Sequence, residues 1–183
     1  MSTESQVGQV PILDTPRTLM RAHRASDFDA CAAMWADPCV VRYISGKPLT
    51  REDSWSRLLR YVGHWKLLGF GYWVVEDQQT GAFLGEVGFA DFRREIEPSL
   101  EGTPEIGWVM ATQAHGRGLA TEAVTAAVAW GDVNLEAEKT ACLVAPEHTA
   151  SIRVAKKNGY SETLQTTYKG KPTLVMERNR HLC

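Results

Sequence analysis

Residues 104–130 read PEIGWVMATQAHGRGLATEAVTAAVAW, and this stretch decides the fold expected for the chain. Its apolar start, Ile106–Ala111, predicts a short strand interrupted by Gly107. A turn with two glycines follows at residues 113–118, and an Ala/Val-rich helix begins at Leu119. This arrangement favours anion binding, because first-turn helix amides have no internal partners and glycines let the backbone approach a phosphate closely.

The glycine turn matches neither of the common nucleotide-binding fingerprints. A P-loop requires Lys and then Ser or Thr after its second glycine, where this chain has Leu119 and Ala120. The dinucleotide fingerprint requires a third glycine three residues after Gly118, where Thr121 stands. Taken alone, the stretch is therefore also compatible with an ordinary strand-to-helix connection in an α/β domain.

The composition predicts a single globular domain without a nucleic-acid or membrane partner. The chain has 183 residues, of which 44% are hydrophobic and 23% charged, and this suits one domain with a sizeable core. A net charge of −2 does not support a basic nucleic-acid-binding surface. No apolar run approaches the roughly 18 residues of a membrane span, and the N-terminus lacks the pattern of a signal peptide.

The cysteine and histidine spacings predict neither a disulfide framework nor a metal site. No CxxC pair is present, so the cysteines are interpreted as reduced thiols of a cytoplasmic protein. His23, His64 and His181 show no metal-ligand spacing. Six tryptophans are many for this length and are consistent with a homodimer. The four cysteines are Cys31, Cys39, Cys142 and Cys183.

The pattern along the chain predicts a flexible leader at residues 1–15 and one domain at residues 16–183. The expected architecture is α+β, a mixed and mostly antiparallel central sheet flanked by helices on both faces. Helices are predicted at 28–35, from residue 50, from residue 119 and at 149–158. Residues 40–44 are expected to be extended or helical. Strands are predicted at 17–23, 72–77, 82–90, 106–111, 140–145, 160–166 and 172–177.

The helix predicted to begin at Thr50 and the loop at 92–103 are expected to shape a substrate site. Apolar residues of this helix are predicted to share one packed face, and the charged loop is expected to be a mobile rim. Four aromatic residues elsewhere could line an acceptor pocket, with core packing as the alternative for each: Trp65, Phe70, Tyr72 and Phe89. The predicted helix face consists of Trp55, Leu58, Leu59, Val62 and Trp65.

Three motifs, in this order of elements, resemble the GNAT N-acetyltransferase superfamily and within it the RimJ/RimL-like group. Gln113, Gly116 and Gly118 meet the fixed positions of its Gln/Arg-x-x-Gly-x-Gly/Ala turn. A later helix runs from His148-Thr149-Ala150-Ser151 to Gly159-Tyr160, similar to the family's Asn-x-x-Ala/Ser helix ending in Gly-Phe/Tyr. The resemblance covers about residues 17–177. Further matching features are Asp37-Pro38, Arg42-Tyr43 and the segment Gly81 through Gly88.

The resemblance implies that acetyl-CoA is the cosubstrate and that most of its contacts are with the backbone. Amides of residues 116–121 would bind the pyrophosphate, with Arg117 near the phosphates. The strand at residues 108–111 would bind pantetheine as an added strand, and Gly107 would fit a bulge or a close approach where this strand parts from the next. The implied cofactor-binding residues are Trp108, Val109, Met110, Ala111, Gln113, Gly116, Arg117, Gly118, Leu119, Ala120, Thr121, His148 and Ser151.

Acetyl transfer to an amine requires loss of the ammonium proton and stabilisation of an oxyanion. Glu105 is the first candidate base, directly or through water, and the alternative is a solvated edge carboxylate. Glu86 is the second candidate base. A backbone amide near Val109 or Met110 would stabilise the oxyanion.

The proton donor and the start of the last helix depart from the family pattern. Ala155 occupies the position where many members have a Tyr acid, so that acid is absent. Ser151 is the catalytic candidate that would relay a proton near the thiol, with polar filling of a helix start as the alternative. His148 replaces the usual Asn, which puts the cofactor contact made by that Asn in doubt.

These observations predict an acetyl-CoA-dependent N-acetyltransferase that acts by direct attack in a ternary complex. The acceptor would be a primary amine, either a protein N-terminus or a small molecule. The alternative is a non-catalytic acyl-CoA-binding or sensor module, because the Tyr acid is missing and His148 is unusual.

Overall fold

The computed structural model describes residues 9–180, which form one eight-stranded mixed sheet with helices on both faces. The strand order is β1-β2-β3-β4-β5-β6-β8-β7. The helices are α1 (Phe28–Ala36), α2 (Pro38–Val41), α3 (Arg51–Leu68), α4 (Leu119–Asn134) and α5 (Thr149–Lys157). The strands are β1 (Leu13–Asp14), β2 (Thr18–Arg21), β3 (Tyr72–Asp77), β4 (Phe83–Ala90), β5 (Glu105–Met110), β6 (Lys139–Val144), β7 (Ser161–Tyr168) and β8 (Lys171–Asn179).

The predicted α+β class is confirmed, since every neighbouring strand pair is antiparallel except β5 and β6. Those two strands run parallel and share a single register pair, Glu105 with Ala141. The Ala141 amide also donates to the carbonyl of Pro104 at 3.1 Å. No other register pair joins β5 and β6 in the described part of the chain, so the two strands part beyond this point and leave an opening toward their carboxyl ends. We refer to this opening as the β5–β6 groove.

The sheet register decides which side chains face which helices. Tyr72, Gly88 and Gly107 are aligned across β3, β4 and β5, and Glu86 is aligned with Val109. Because aligned residues share a face, these residues all lie on the side covered by α1 and α3. The alternate residues point to the opposite side, where α4 packs its buried residues into the main core: Leu119, Ala123, Val124 and Ala127.

Helix α3 begins where the sequence predicts, but its buried face differs from the predicted one. Thr50 and Asp53 form a capping box, and Gly69 ends the helix in the left-handed conformation. The buried residues are Ser54, Leu58 and Tyr61. The face of α3 that is buried is therefore shifted by one residue relative to the predicted apolar face. Three residues of the predicted apolar face are exposed, namely Trp55, Leu59 and Val62.

The boundary of the predicted leader needs a correction. Leu13–Asp14 forms β1 and pairs with β2, and the Trp73 indole donates to the Pro11 carbonyl at 2.8 Å. Residues 9–15 therefore belong to the folded domain, because they extend its sheet and cover its core. Residues 1–8, His181 and Cys183 lie outside the described residues.

The other predicted helices and strands are present, with ends shifted by no more than two residues. The segment expected to be extended or helical forms α2, whose N-cap Asp37 accepts from the Cys39 amide. Cys31, Cys39 and Cys142 are free thiols. Within residues 9–180, no helix is both long and apolar enough to cross a bilayer.

Candidate active site

The glycine turn before α4 presents an open helix N-terminus. Gly116 and Gly118 have φ values of 71° and 77°, in the left-handed region that glycine tolerates. No heavy atom lies within 4 Å of the position that a Cβ on Gly116 would take. Gly118 is the N-cap and has no side chain, so no N-cap side chain binds the first-turn amides. These features fit the pyrophosphate of acetyl-CoA.

Two arginines flank this turn. Arg117 lies 3.7 Å from Asp77, and Arg17 donates to the Arg117 carbonyl at 2.8 Å. Arg17 also pairs with Glu122 at 2.7 Å, so it neutralises a carboxylate in the first turn of α4. Sequence reasoning missed Arg17 because the residue lies 100 positions from Arg117 and no local pattern connects the two.

The residues of β5 that were predicted to bind the cofactor separate into two sets by the face of the sheet. Val109 and Ala111 pack in a cluster with Trp35 and other residues of α1 and α2. Trp108 and Met110 join the main core on the other face. These four side chains are therefore engaged in packing. Backbone groups on the β6 side of β5 would have to make any contact in the β5–β6 groove.

The turn side chains Gln113 and His115 support the end of β5. Gln113 is exposed and donates to the Phe83 carbonyl at 3.3 Å, which fastens the turn to β4. His115 donates from Nε2 to the Met110 carbonyl at 2.9 Å. Both contacts hold the turn against the sheet. Leu119 is buried in the core, whereas Ala120 and Thr121 in the first turn of α4 are half-buried.

His148 and Ser151 lie together at the start of α5. His148 Nε2 is 3.4 Å from Ser151 Oγ, and the His148 ring stacks on Tyr43 with centroids 4.6 Å apart. Burial and the charge of nearby His115 lower the pKa of His148, which favours the neutral ring. The His148 side chain does not cap α5. The His148 ring therefore packs on Tyr43 instead of capping the helix.

Glu105 is buried, so its alternative interpretation as a solvated edge carboxylate is wrong. Arg94 donates to both carboxylate oxygens at 2.6 and 2.7 Å, and it also donates to the Tyr168 hydroxyl at 3.2 Å. Burial opposes the charge of Arg94, yet Glu105 raises its pKa overall. The pair joins the loop at residues 92–103 to β5.

The loop at residues 92–103 is not only a charged rim, as the sequence had suggested. Ile96 and Leu100 are buried and pack against Ala141 and Val175. The loop therefore carries its own apolar anchor, in addition to the ion pair between Arg94 and Glu105.

Glu86 lies at the centre of a second buried polar cluster. His23 Nε2 donates to its carboxylate at 3.0 Å, and Trp35 Nε1 donates at 2.9 Å. Burial alone would raise the pKa of Glu86, but the interactions with His23 and Trp35 lower it overall. Atoms of His23, Cys31 and Glu86 that could bind a metal lie within 4.8 Å of one another. Internal hydrogen bonds already satisfy this carboxylate.

Tyr72 reaches the centre of the sheet on the α1–α3 side. A Cβ added to Gly107 would overlap the Tyr72 hydroxyl, so Gly107 provides a close approach. The register shows no bulge between β4 and β5 at this residue. The Tyr72 ring stacks on Tyr61, with centroids 4.3 Å apart and an interplanar angle of 8°. Burial, with smaller contributions from Tyr61 and Glu105, raises the pKa of Tyr72 well above its usual value.

Among the four aromatic residues proposed for an acceptor pocket, Tyr72 alone lies on this face. Trp65, Phe70 and Phe89 pack in or against the main core. Sequence reasoning named Tyr72 only as a candidate for lining the acceptor pocket, and it did not predict that the Tyr72 hydroxyl reaches Gly107. The available signal was the pair Gly88 and Gly107, whose alignment with Tyr72 only the register reveals.

Comparisons with known proteins support the fold described above. The family model described as an acetyltransferase (GNAT) domain matches residues 17–161. The Bacillus subtilis (strain 168) protein YkkB is 35% identical over 154 residues, which cover 81% of this chain and 83% of YkkB. A GnaT-family acetyltransferase from Bordetella pertussis is 28% identical with a TM-score of 0.82, over 92% of this chain and 99% of its own.

A solved structure at lower identity shares the fold. It is the spermidine N-acetyltransferase of Vibrio cholerae in complex with CoA and spermine. It is 18% identical with a TM-score of 0.71, over 91% of this chain and 97% of its own. The family match spans most of the chain and includes the glycine turn and the start of α5. The chain therefore belongs to the GNAT acetyltransferase family, and it is an N-acetyltransferase.

Proposed function

We propose that this enzyme transfers the acetyl group of acetyl-CoA to a primary amine, by direct attack in a ternary complex. The acceptor is the α-amine of a protein N-terminus or an amine of a small molecule, and the chain belongs to the RimJ/RimL-like group. The observation that carries the proposal is the β5–β6 groove, whose open end adjoins the uncapped N-terminus of α4. The free thiols of the described chain support a cytoplasmic location.

Backbone groups make most of the proposed contacts with acetyl-CoA. Amides of residues 116–121 bind the pyrophosphate, and the guanidinium groups of Arg17 and Arg117 lie beside it. The edge of β5 at residues 108–111 offers its N–H and C=O groups to the pantetheine amides. His148 and Ser151 line the α5 side of the groove. The spermidine N-acetyltransferase that shares this fold was solved with CoA, which supports this choice of cosubstrate.

Glu105 is the proposed general base, directly or through one water. A carboxylate offers about four acceptor positions, and Arg94 uses one on each oxygen. The remaining lone pairs can accept the amine proton, while Arg94 fixes the orientation of the carboxylate. Glu86 is the second candidate, although His23 and Trp35 already engage both of its oxygens. A backbone amide near Val109 or Met110 stabilises the oxyanion.

Tyr72 is the proposed proton donor to the departing thiolate, with Ser151 as the alternative relay. Ala155 leaves the usual position of a Tyr acid without a hydroxyl. The Tyr72 hydroxyl lies at Gly107, near the narrow end of the β5–β6 groove. Burial raises the pKa of Tyr72, so its hydroxyl keeps its proton at neutral pH. A protonated phenol next to the sulfur can donate that proton as the C–S bond breaks.

The proposal is tested by measuring the release of free CoA thiol with a panel of peptides and small amines, with mass spectrometry of each acceptor. Glu105→Gln is expected to lower kcat by about 10²-fold, as loss of a general base does, while CoA binding persists. Glu162→Gln is the matched control. Glu162 lies on the edge strand β7, is exposed, and also pairs with a cation, Lys156 of α5, at 3.0 Å. Equal turnover by the Glu105 variant would remove Glu105 from the mechanism.

The alternative, a non-catalytic acyl-CoA-binding or sensor module, gives a different outcome in the same assay. Such a module would bind CoA in calorimetry, yet no acceptor would increase thiol release above the rate of hydrolysis. The match to an acetyltransferase family over residues 17–161 does not favour this alternative.

A further inference from the structure

We propose that the acceptor amine carries an anionic group, such as a carboxylate, which is bound by the guanidinium groups of Arg57 and Arg60. This substrate class rests on the proposed acetyl transfer at the groove and deepens it. The two arginines lie one turn apart on α3, on the side of the sheet that holds Tyr72 and Glu105. We call them the α3 arginine pair.

A continuous series of contacts leads from Gly107 to the α3 arginine pair. The Tyr72 hydroxyl lies at Gly107, and the Tyr72 ring stacks on Tyr61. Arg57 Nη1 donates to the Tyr61 hydroxyl at 3.3 Å, and its guanidinium lies 3.9 Å from the centroid of the Trp35 ring. Arg57 is thus held in place by aromatic residues instead of by a carboxylate.

Phe92 connects the second arginine to the proposed base. The guanidinium of Arg94 lies 4.6 Å from the centroid of the Phe92 ring, and that of Arg60 lies 5.1 Å from it. Arg94 is neutralised by Glu105. Arg60 therefore adds a second positive charge beside Phe92, where the carboxylate of Glu105 is already paired with Arg94.

Within residues 9–180, no carboxylate lies within ion-pair distance of either member of the α3 arginine pair, and Arg57 Nε is buried without a hydrogen-bond partner. Arg57 is half-buried and Arg60 is exposed. The arginines with more buried side chains differ from this pair: Arg21 pairs with Asp27, Arg94 with Glu105 and Arg178 with Asp132. The unpaired guanidinium of Arg57 is costly, because its charge is partly removed from water without compensation. A bound anion would supply the missing partner.

The carboxylates near the α3 arginine pair are committed to other groups. Burial lowers the pKa of Arg57, but Tyr61 and, to a smaller extent, the charge of Glu86 raise it overall. The Glu86 oxygens themselves accept hydrogen bonds from His23 and Trp35. Asp91 lies 4.0 Å from Arg93. Burial, followed by repulsion from Arg57 among other charges, lowers the pKa of Arg60. An acceptor carboxylate would relieve that repulsion, and guanidinium groups suit it because they bind carboxylates in a bidentate manner.

Space for the rest of an acceptor adjoins Arg60. A cavity of about 330 Å³ opens beside this residue and is walled by α3 and by the start of the loop after β4. Its other lining residues are Gly63, His64, Leu67, Leu68, Asp91 and Arg93. The apolar part of this lining suits a side chain or a short peptide attached to the anionic amine.

The test compares acceptors that differ only in the anionic group. Phenylalanine, methionine and glutamate are each assayed as the free amino acid and as the α-amide, with spermidine as a polycationic amine. We expect kcat/KM to favour the free carboxylate by at least about tenfold, the scale of one charge-assisted hydrogen bond. Arg60→Gln should reduce this preference about tenfold with an unchanged KM for acetyl-CoA. Arg51→Gln, an exposed arginine of the same helix, should leave the preference intact.

The possible results separate this inference from the proposed function. If kcat/KM for the amides or for spermidine equals or exceeds that for the free amino acids, the proposal of an anionic acceptor is overturned, whereas the proposal of acetyl transfer stands. If CoA binds but no amine is acetylated, the proposed function fails. In that case, the binding of phenylalanine and of its amide to the CoA complex is measured by calorimetry. Tighter binding of phenylalanine supports the anionic acceptor, and equal or absent binding of the two compounds overturns it. Arg57→Lys, checked for folding by thermal unfolding, provides a second variant if Arg60→Gln is poorly folded.

Discussion

The Tyr72 hydroxyl occupies the space above Gly107 that any other residue would fill with its Cβ. The two residues lie in one row across the sheet, with Gly88 between them. A Cβ on Gly88 would overlap the backbone of Gly71 and Tyr72, so both glycines are required by close approaches. This row brings a phenol from β3 to the narrow end of the β5–β6 groove. It also makes Gly107 and Tyr72 energetically dependent on each other.

Gly107→Ala is expected to destabilise the protein by about 1–3 kcal/mol, because the added methyl overpacks the site against the Tyr72 hydroxyl. The loss should be smaller in a Tyr72→Phe background, where that oxygen is absent. Urea unfolding of the two single variants and the double variant measures this coupling. Gly63→Ala is the control, since nothing lies within 4 Å of its Cβ position. An equal loss in both backgrounds would contradict the close approach.

Gly118→Trp is expected to abolish CoA binding, since the indole would fill the space before the first-turn amides of α4. The matched control is Gly170→Trp in the β7–β8 turn, because Gly170 has a similar φ of 75° against 77° at Gly118. Both variants should suffer comparable backbone strain, so only the site differs. Calorimetry with CoA measures the effect. Unchanged affinity in the Gly118 variant would place the pyrophosphate elsewhere.

Ser151→Ala is expected to lower kcat several-fold and to spare the KM for acetyl-CoA, if the hydroxyl relays a proton near the thiol. The hydroxyl lies 3.4 Å from His148 Nε2, so it is oriented by a weak contact. Steady-state kinetics with varied acetyl-CoA separates the two parameters. The control is Ser161→Ala on the exposed strand β7. Wild-type kcat in the Ser151 variant would leave Tyr72 as the only proposed proton donor.

Glu86→Gln is expected to cost about 3 kcal/mol at pH 7, because it removes the charged partner of a buried network. The fold lowers the pKa of Glu86 below its usual 4.5, so its ionised form contributes stability above that pH. This contribution is lost as the pH falls through the folded-state value. The difference between wild type and variant should therefore shrink below pH 4.5. Chemical unfolding at several pH values tests this, with exposed Glu136→Gln as control.

Local signals in the sequence predicted most of the elements and the turn of the candidate site. Thr50 and Asp53 predict a capped helix start, and Gly159 predicts a helix end, since both depend on residues within one turn. The glycines at 116 and 118 predict the left-handed turn for the same reason. The buried face of α3 was predicted wrongly by one residue. Apolar content does not reveal which arc faces the sheet when Trp55, Leu59 and Val62 remain exposed.

The family, the order of elements and the open helix start before α4 can be predicted from the chain alone, because these follow from contacts between residues close along the chain. The pairing of the chemistry-bearing side chains depends on the three-dimensional fold. Arg94 neutralises Glu105, and Tyr72 reaches Gly107, because the sheet register places distant residues on one face. The same register leaves the α3 arginine pair without carboxylates. Charge pairing depends on which groups meet in three dimensions, and spacing along the chain does not encode that.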